Sequence, residues 1–277
     1  MEKLVCVDVD GTLIQGDFKV KDNIKQKMTK MKEKFVIVSG RTVDELKQLH
    51  MDCDLIGSNG GEIYVKGQYL QKLKVSKKDS LKILKDFEKL GYYLIVHTEK
   101  GRYIQKNSEQ QVREELVGII KGRQPDLSQE DFEKSMSHMM NHVYEKSIKV
   151  ENLYDFVSSQ ELLINKLESH FEKDKTELFD YLSKNYEVEA FNSAGSNIEI
   201  VPKGAFKDLA IKKYIGNQDY KIIAIGDGNN DIPMFEISDY GIAMGNATLE
   251  LKALAQSVVS DVAENGFLEA LSIVESL

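Results

Sequence analysis

Three stretches of this chain, Leu4-Val5-Cys6-Val7, Phe35-Val36-Ile37-Val38 and Ile222-Ile223-Ala224-Ile225, are apolar at every position. A half-solvated strand alternates apolar and polar residues, so a run without alternation has to be covered on both faces. The segments that follow them read as helices. Residues 22–34 place Ile24, Met28 and Met31 at helical spacing, and Thr42 opens a further helix with Glu45 three residues on, the pattern of a capping box. A third strand is expected at 54–57. The rhythm resumes late in the chain, with helices expected over 206–214, 231–237, 249–255 and 266–274 and strands over 240–244 and 257–259. Strands alternating with helices predict a doubly wound, Rossmann-like parallel sheet, an α/β fold.

The middle of the chain breaks this rhythm. Residues 79–90 form a helix with Leu81, Leu84, Phe87 and Leu90 on one face. Short strands are expected at 92–97, 103–106, 162–167 and 187–191, and a helix at 171–184. That α+β pattern predicts an inserted domain over 75–192, between the two halves, 1–74 and 193–277, of one α/β core. A length of 277 residues leaves room for both.

Composition excludes several classes. The formal net charge is −8, without the basic footprint of a nucleic-acid binder. Two cysteines, Cys6 and Cys53, give no disulfide framework, and a reducing cytoplasm is the expected compartment. Asp8 and Asp10 interrupt any apolar signal segment, and no stretch approaches the length of a membrane span. The expected partner is therefore a small molecule, with neither nucleic acid nor membrane.

Polar clusters terminate the apolar runs. Asp8, Asp10 and Thr12 follow the first, Ser39 and Gly40 the second, and Asp227, Asn230 and Asp231 the run at 222–225; Lys207 follows a further strand at 198–201. Ligands of an open α/β sheet sit beyond the carboxyl ends of its strands, so the fold brings these clusters to one edge. Two carboxylates one residue apart repel each other unless a cation or shared proton lies nearby. Several carboxylates with one lysine suit a hard cation, and magnesium prefers oxygen donors. Hydroxyls, turn amides and a lysine are phosphate-binding groups. Together they predict phosphoryl transfer through an aspartyl phosphate.

These residues resemble a known family. Asp8-Val9-Asp10-Gly11-Thr12, Ser39-Gly40-Arg41, Lys207 and Gly226-Asp227-Gly228-Asn229-Asn230-Asp231 are similar, in order, to the four motifs of the haloacid dehalogenase superfamily. The insert resembles a type C2 cap, and Gly241-Ile242-Ala243-Met244-Gly245-Asn246-Ala247 resembles the Cof-type phosphatases. The resemblance implies a magnesium-dependent phosphatase acting on a small phosphorylated metabolite, a sugar phosphate or a phosphorylated cofactor. It implies Asp8 as nucleophile and metal ligand, Asp10 as general acid/base with its carbonyl on the metal, Asp227 as metal ligand and Asp231 as support for the metal shell. Ser39, Gly40, Lys207 and Asn230 would bind phosphate, with Thr12 beside them. The sequence departs from the family in Ser-Gly-Arg-Thr at 39–42, where Thr-Gly-Arg-Pro is commoner, and in Asp208, where glycine usually follows the lysine.

Alternatives stay open at this point. Lys203, which precedes Gly204, competes with Lys207 for the third motif. A phosphomutase would use the same aspartyl phosphate, and a phosphate-sensing module would bind without turnover. Asn59-Gly60 suits a tight turn or a residue facing substrate. His138 and His142 are spaced to share a helix face, but without a third ligand they make a poor zinc site; Met136, Met139 and Met140 read as apolar core or as an adaptable surface.

Overall fold

The computed structural model describes residues 1–15, 19–123, 125–171, 175–192 and 196–277. The strands in chain order are β1 (Glu2–Val7), β2 (Lys34–Val38), β3 (Asp54–Gly57), β4 (Glu62–Val65), β5 (Gln68–Lys72), β6 (Ile95–Thr98), β7 (Gly101–Gln105), β8 (Ile148–Val150), β9 (Ile164–His170), β10 (Val188–Phe191), β11 (Asn197–Pro202), β12 (Tyr220–Gly226), β13 (Tyr240–Ala243) and β14 (Ser257–Val258). They make two sheets, in the orders β14-β13-β12-β1-β2-β3-β4-β5 and β10-β11-β9-β6-β7-β8.

The first sheet belongs to a unit of Met1–Leu73 and Gly204–Leu277. From β14 to β3 its neighbours are parallel. The continuous apolar runs explain why. Successive residues of a strand point to opposite faces, and here both faces are buried. Val5, Val7, Ile37, Ile223 and Ile225 pack with Ile24, Met28, Leu46, Phe267 and Leu271 from helices on one side. Leu4, Cys6, Val36, Val38 and Ala224 pack with Ala210, Ile211, Met234, Phe235 and Leu251 on the other. The chain runs outward from β1 through β2 and β3, then returns to β12 on the opposite flank of β1. The strand order therefore reverses between β1 and β12, the crevice where such sheets bind ligands.

The second unit is Lys74–Lys203. Its sheet is antiparallel except where β7 meets β8. One face carries Val96, Leu167, Ile198 and Ile200 against helix Lys77–Leu90, whose buried apolar residues are Ile83, Leu84 and Phe87. The other carries Ile95 and Ile104 against Val112, Leu116, Ile119, Met136 and Met140.

The insert differs from its expected limits. Residues 193–195, at the expected end of the insert, lie outside the described residues. The strand after them, β11, pairs with β10 and β9 rather than with the parallel sheet, so the second unit runs on to Lys203. The helix expected at 171–184 is Thr176–Asn185, and residues 172–174 lie outside the description. Leu90, expected on the buried helix face, is half exposed. His138 lies in helix Gln129–Met140 and His142 in the π-turn after it. Among the described residues no metal-ligating group of three includes either histidine. No described helix is long and apolar enough to cross a membrane.

Candidate active site

All the expected site residues belong to the unit built on the parallel sheet, at its carboxyl edge. Asp8 stands one residue beyond β1, Ser39 one beyond β2, and Asp227 one beyond β12. Parallel pairing ties these ends together, with Asp8 N–H donating to the Ile225 carbonyl at 3.0 Å and Ser39 N–H to the Ile56 carbonyl at 2.9 Å. Lys207 is the first residue of helix Lys207–Ile215.

The centre is a buried ion cluster. Lys207 is 1% exposed, and its Nζ donates to Asp8 Oδ1 at 2.7 Å and to Asp231 Oδ1 at 2.5 Å. The other oxygen of Asp231 accepts the backbone N–H groups of Asp227 and Gly228, each at 3.0 Å. Asp231 is thus occupied on both oxygens by the groups it positions. Carboxylate oxygens of Asp8, Asp227 and Asp231 lie within 4.8 Å of one another.

Three acids facing one lysine leave the cluster short of positive charge. Burial, with Asp231 close by, pushes Asp8 well above the usual carboxylate range, and Lys207 pulls against the rise. Burial and Asp231 push Asp227 up to about 7. Burial works to lower Lys207, but Asp231 and Asp8 outweigh it and hold the ammonium above its ordinary value. A cation near these oxygens would relieve that repulsion.

Asp10 stands apart from the three. Its side chain is largely exposed, and its carboxylate is gripped by Arg41, with Nε at 2.7 Å and Nη2 at 2.5 Å, a bidentate pair. Burial works to lower Arg41, and Asp10 more than restores it. The Asp10 carboxylate is thus held at the open side of the cluster, by a residue of the second motif that the sequence did not mark as its partner.

The phosphate-binding candidates sort into two groups. Thr12 is fully buried, its hydroxyl donating to Asp227 Oδ1 at 2.9 Å and its N–H to the Val9 carbonyl at 3.3 Å. Both of its donors are spent within the protein, so it holds Asp227 rather than standing free for phosphate. Ser39 is buried beside the Arg41 N–H, which its hydroxyl accepts at 3.2 Å. Gly40 follows it in the same turn, and Thr42 closes the turn with the expected capping box to Glu45. Asn230 reaches Asn59, Nδ2 to Oδ1 at 3.2 Å.

Asn59, which the sequence offered as a tight turn or as a residue facing substrate, follows Ser58 in the turn after β3. Both are buried with φ of +52°, a conformation costly for residues with a Cβ. Gly60 follows with φ of +104°, and a Cβ there would meet the Phe206 carbonyl oxygen at 2.4 Å, so only glycine lets this turn approach the residue before Lys207. Glu62, also unforeseen, is buried and accepts the Val43 N–H at 3.0 Å and the Ser58 hydroxyl at 3.2 Å. It couples the turns after β2 and β3. Lys203, by contrast, is exposed and pairs with Glu187 in the insert.

The family model for haloacid dehalogenase-like hydrolases matches residues 5–271. The 5-amino-6-(5-phospho-D-ribitylamino)uracil phosphatase YwtE of Bacillus subtilis is 27% identical over 275 residues, covering 95% of each chain. A second Bacillus subtilis protein of the same description, YcsE, is 24% identical, covering 97% of this chain and 94% of its own. Among solved structures, a haloacid dehalogenase-like hydrolase from B. subtilis superposes with a TM-score of 0.79 at 21% identity, over 98% of this chain and 99% of that one. The chain belongs to the haloacid dehalogenase-like hydrolases, among their Cof-type phosphatases.

Proposed function

We propose that the protein hydrolyses a small phosphorylated metabolite with magnesium, through an aspartyl phosphate on Asp8. The observation that carries this reading is the Asp8 carboxylate, held by Lys207 beside Asp227 at the reversal point of the sheet. A nucleophile needs a fixed direction, and the buried Lys207 contact supplies one.

The residues fit a divalent cation. The donor set is all oxygen and contains no cysteine, and burial together with the neighbouring Asp231 pushes two of its carboxyls up. Such a set selects magnesium over zinc. Asp8 and Asp227 would hold the ion with the Asp10 carbonyl, and Asp231 would act through Lys207 and the backbone of 227–228. When bound, magnesium would supply charge opposite the phosphoryl oxygens.

In the first half-reaction an Asp8 oxygen attacks phosphorus and the bond to the leaving oxygen breaks. The Asp10 carboxyl gives that oxygen its proton. In the second, Asp10 takes a proton from water, the water oxygen attacks phosphorus, and the bond to Asp8 breaks to release phosphate. Lys207 offsets charge that grows on the phosphoryl oxygens, with Ser39, Gly40 and Asn230 around the same group.

Two relatives named for a phosphorylated ribitylamino-uracil favour an ester on a polyol chain as the substrate class. In this reading residues 74–203 are a type C2 cap that selects the leaving group. A panel of phosphate monoesters, assayed for phosphate release after exhaustive chelation and again with magnesium, tests the whole. Release that magnesium restores, and calcium restores poorly, is expected. Full release after chelation would remove the metal from the mechanism, and no release from any ester would remove the hydrolysis.

A further inference from the structure

We propose that Asn246 is a positioning residue for Asp227, setting the direction of the carboxylate that would hold the metal. The proposal rests on the metal-dependent reading above.

Asn246 stands at an exposed edge, in the turn after β13. A surface asparagine normally spends its amide on water. This one spends it on three loops of the protein. Its Nδ2 donates to Asp227 Oδ2 at 3.1 Å and to the Gly11 carbonyl at 2.8 Å, and its Oδ1 accepts the Val262 N–H at 3.1 Å. Two acceptors on one end and a backbone donor on the other leave only one orientation for the amide.

The consequence falls on Asp227. Thr12 takes its Oδ1 and Asn246 takes its Oδ2, so a donor from the turn after β1 and a donor from the turn after β13 grip the carboxylate from two sides. Each oxygen keeps a further lone pair for a ligand. Gly11 completes the clamp. Its φ is +83°, and a Cβ there would meet Asp227 Oδ2 at 2.1 Å. The Gly11 peptide is therefore pressed against the same oxygen that Asn246 holds, and Asn246 fixes that peptide through its carbonyl.

Asn246 is itself anchored. Gly245 N–H donates to the Ser260 carbonyl at 3.0 Å, and a Cβ on Gly245 would meet the Asp261 nitrogen at 2.5 Å. Ser260 is held in turn by Glu269 of helix Gly266–Ser276, through its N–H at 2.9 Å and its hydroxyl at 2.8 Å. Residues about twenty and more positions downstream thus fix the Asp227 rotamer. Partners that orient a metal ligand typically change metal affinity or activity by about 10- to 100-fold when removed.

The test is titration with Mn²⁺ of the unaltered protein, Asn246→Ala and Thr248→Val, followed by paramagnetic resonance, with a thermal melt of each. Thr248 caps helix Leu249–Leu254, its hydroxyl donates to Asn229 Oδ1 in the turn after β12, and it reaches Asp227 only through its backbone N–H on the Asp227 carbonyl, a contact that valine keeps. We expect Asn246→Ala to bind Mn²⁺ roughly 10- to 100-fold more weakly with its melting midpoint nearly unchanged. Thr248→Val should melt earlier and bind Mn²⁺ as the unaltered protein does. Asn246→Ser, polar but too short to bridge the loops, should repeat the alanine result and replaces it if that variant does not fold. Unweakened binding in both Asn246 variants overturns the proposal, as does an equal loss in Thr248→Val, which would mean that loop order alone sets affinity. If the unaltered protein binds no Mn²⁺, the metal reading fails first and this inference falls with it.

Discussion

Each unit of the molecule buries a lysine between two acids. In the core, Lys207 lies between Asp8 at 2.7 Å and Asp231 at 2.5 Å. In the insert, Lys166 lies between Glu199 at 2.6 Å and Glu168 at 3.5 Å, on one face of the second sheet. What surrounds the triads differs. The core adds a third carboxylate, Asp227, and burial with the nearby acids pushes Asp8 and Asp227 up. The insert adds His97 and His170, which approach Glu168 at 2.8 and 3.3 Å. Burial works to raise Glu168, but Lys166 and the two imidazoles outweigh it and hold it well below the usual carboxylate range. The same pairing thus gives carboxyls pushed up in one place and a carboxylate held down by a lysine and two imidazoles in the other.

The largest expected effect breaks the core triad at its nucleophile. Asp8→Asn keeps the volume and removes the attacking carboxylate. Loss of an essential nucleophile costs on the order of 10⁶-fold in turnover where it has been measured. We expect phosphate release to fall at least about 10⁴-fold while the melt stays cooperative. Release near the unaltered rate would mean that Asp8 does no chemistry.

Removing the lysine of each candidate position comes next. Lys207→Ala takes away the charge opposite the phosphoryl oxygens, worth roughly 3–4 kcal/mol of transition-state stabilisation for groups of this kind. It also leaves Asp8 and Asp231 buried without their counter-ion, which commonly costs about 3–5 kcal/mol of stability. Lys203 is more than half exposed and bonded to an exposed Glu187, so Lys203→Ala should change turnover and stability little. Comparing the rates and melting midpoints of the two variants checks both statements. A larger rate loss in Lys203→Ala would transfer the role of the third motif to it.

How much of this the sequence could show follows from what is local. The unbroken apolar runs at 4–7, 35–38 and 222–225 fix the parallel strands, because only two-sided burial tolerates them. The acids after each run, with Lys207 at a helix start, mark the site. The partners of those residues are not local. Arg41 on Asp10, Thr12 on Asp227 and Asn246 on three loops depend on which strands lie side by side. The run at 198–201 was legible as a strand, but its sheet was not, since antiparallel pairing with β9 is a matter of long-range register. The β4–β5 hairpin turns at Lys66-Gly67, both with positive φ, where a single glycine was the only signal. Helix Glu109–Arg123 was not among the expected elements, although Val112, Leu116, Ile119 and Ile120 stand in it at helical spacing.

Acidity should pull the two units in opposite directions. Asp227 has its native pKa raised from 3.8 to about 7, so between those values the folded metal-free core holds protons that the unfolded chain has released. Its contribution to stability therefore falls as pH rises from about 4 to 7 and levels off above. Glu168 is lowered, so its contribution is complete above its ordinary 4.5 and is lost as pH falls through and below that value. Burial lowers His97 below 6.5, and its contribution is likewise lost on acidification. The chain has no tryptophan, so Tyr64→Trp in the core and Phe156→Trp in the insert can each report one unit in urea melts. Without metal, the core midpoint should fall between pH 5 and 8, and the insert midpoint between pH 6 and 4. With magnesium the core trend should reverse, because binding requires the deprotonated acids. A core midpoint that rises with pH in chelator would contradict the charge imbalance.

The smallest expected effect compares one device used in both units. Thr42 caps helix Val43–Lys47 in the core, its side chain accepting the Glu45 N–H at 3.3 Å while Glu45 returns to the Thr42 N–H at 2.9 Å. Ser76 caps helix Lys77–Leu90 in the insert, accepting the Asp79 N–H at 3.0 Å. Replacing either by alanine should cost about 1 kcal/mol of stability, the usual worth of such a cap. Their effects on turnover should separate. Thr42 directly follows the Ser39-Gly40-Arg41 turn, whose Ser39 and Gly40 are proposed above to bind phosphate and whose arginine holds Asp10. Loosening that turn shifts several contacts at once, and we expect Thr42→Ala to lower kcat/KM several-fold. Ser76 supports an apolar helix face packed on the second sheet, and Ser76→Ala should leave kcat/KM within about twofold. Equal rate losses in the two variants, at equal stability losses, would show that turnover follows global stability rather than the geometry of the 39–41 turn.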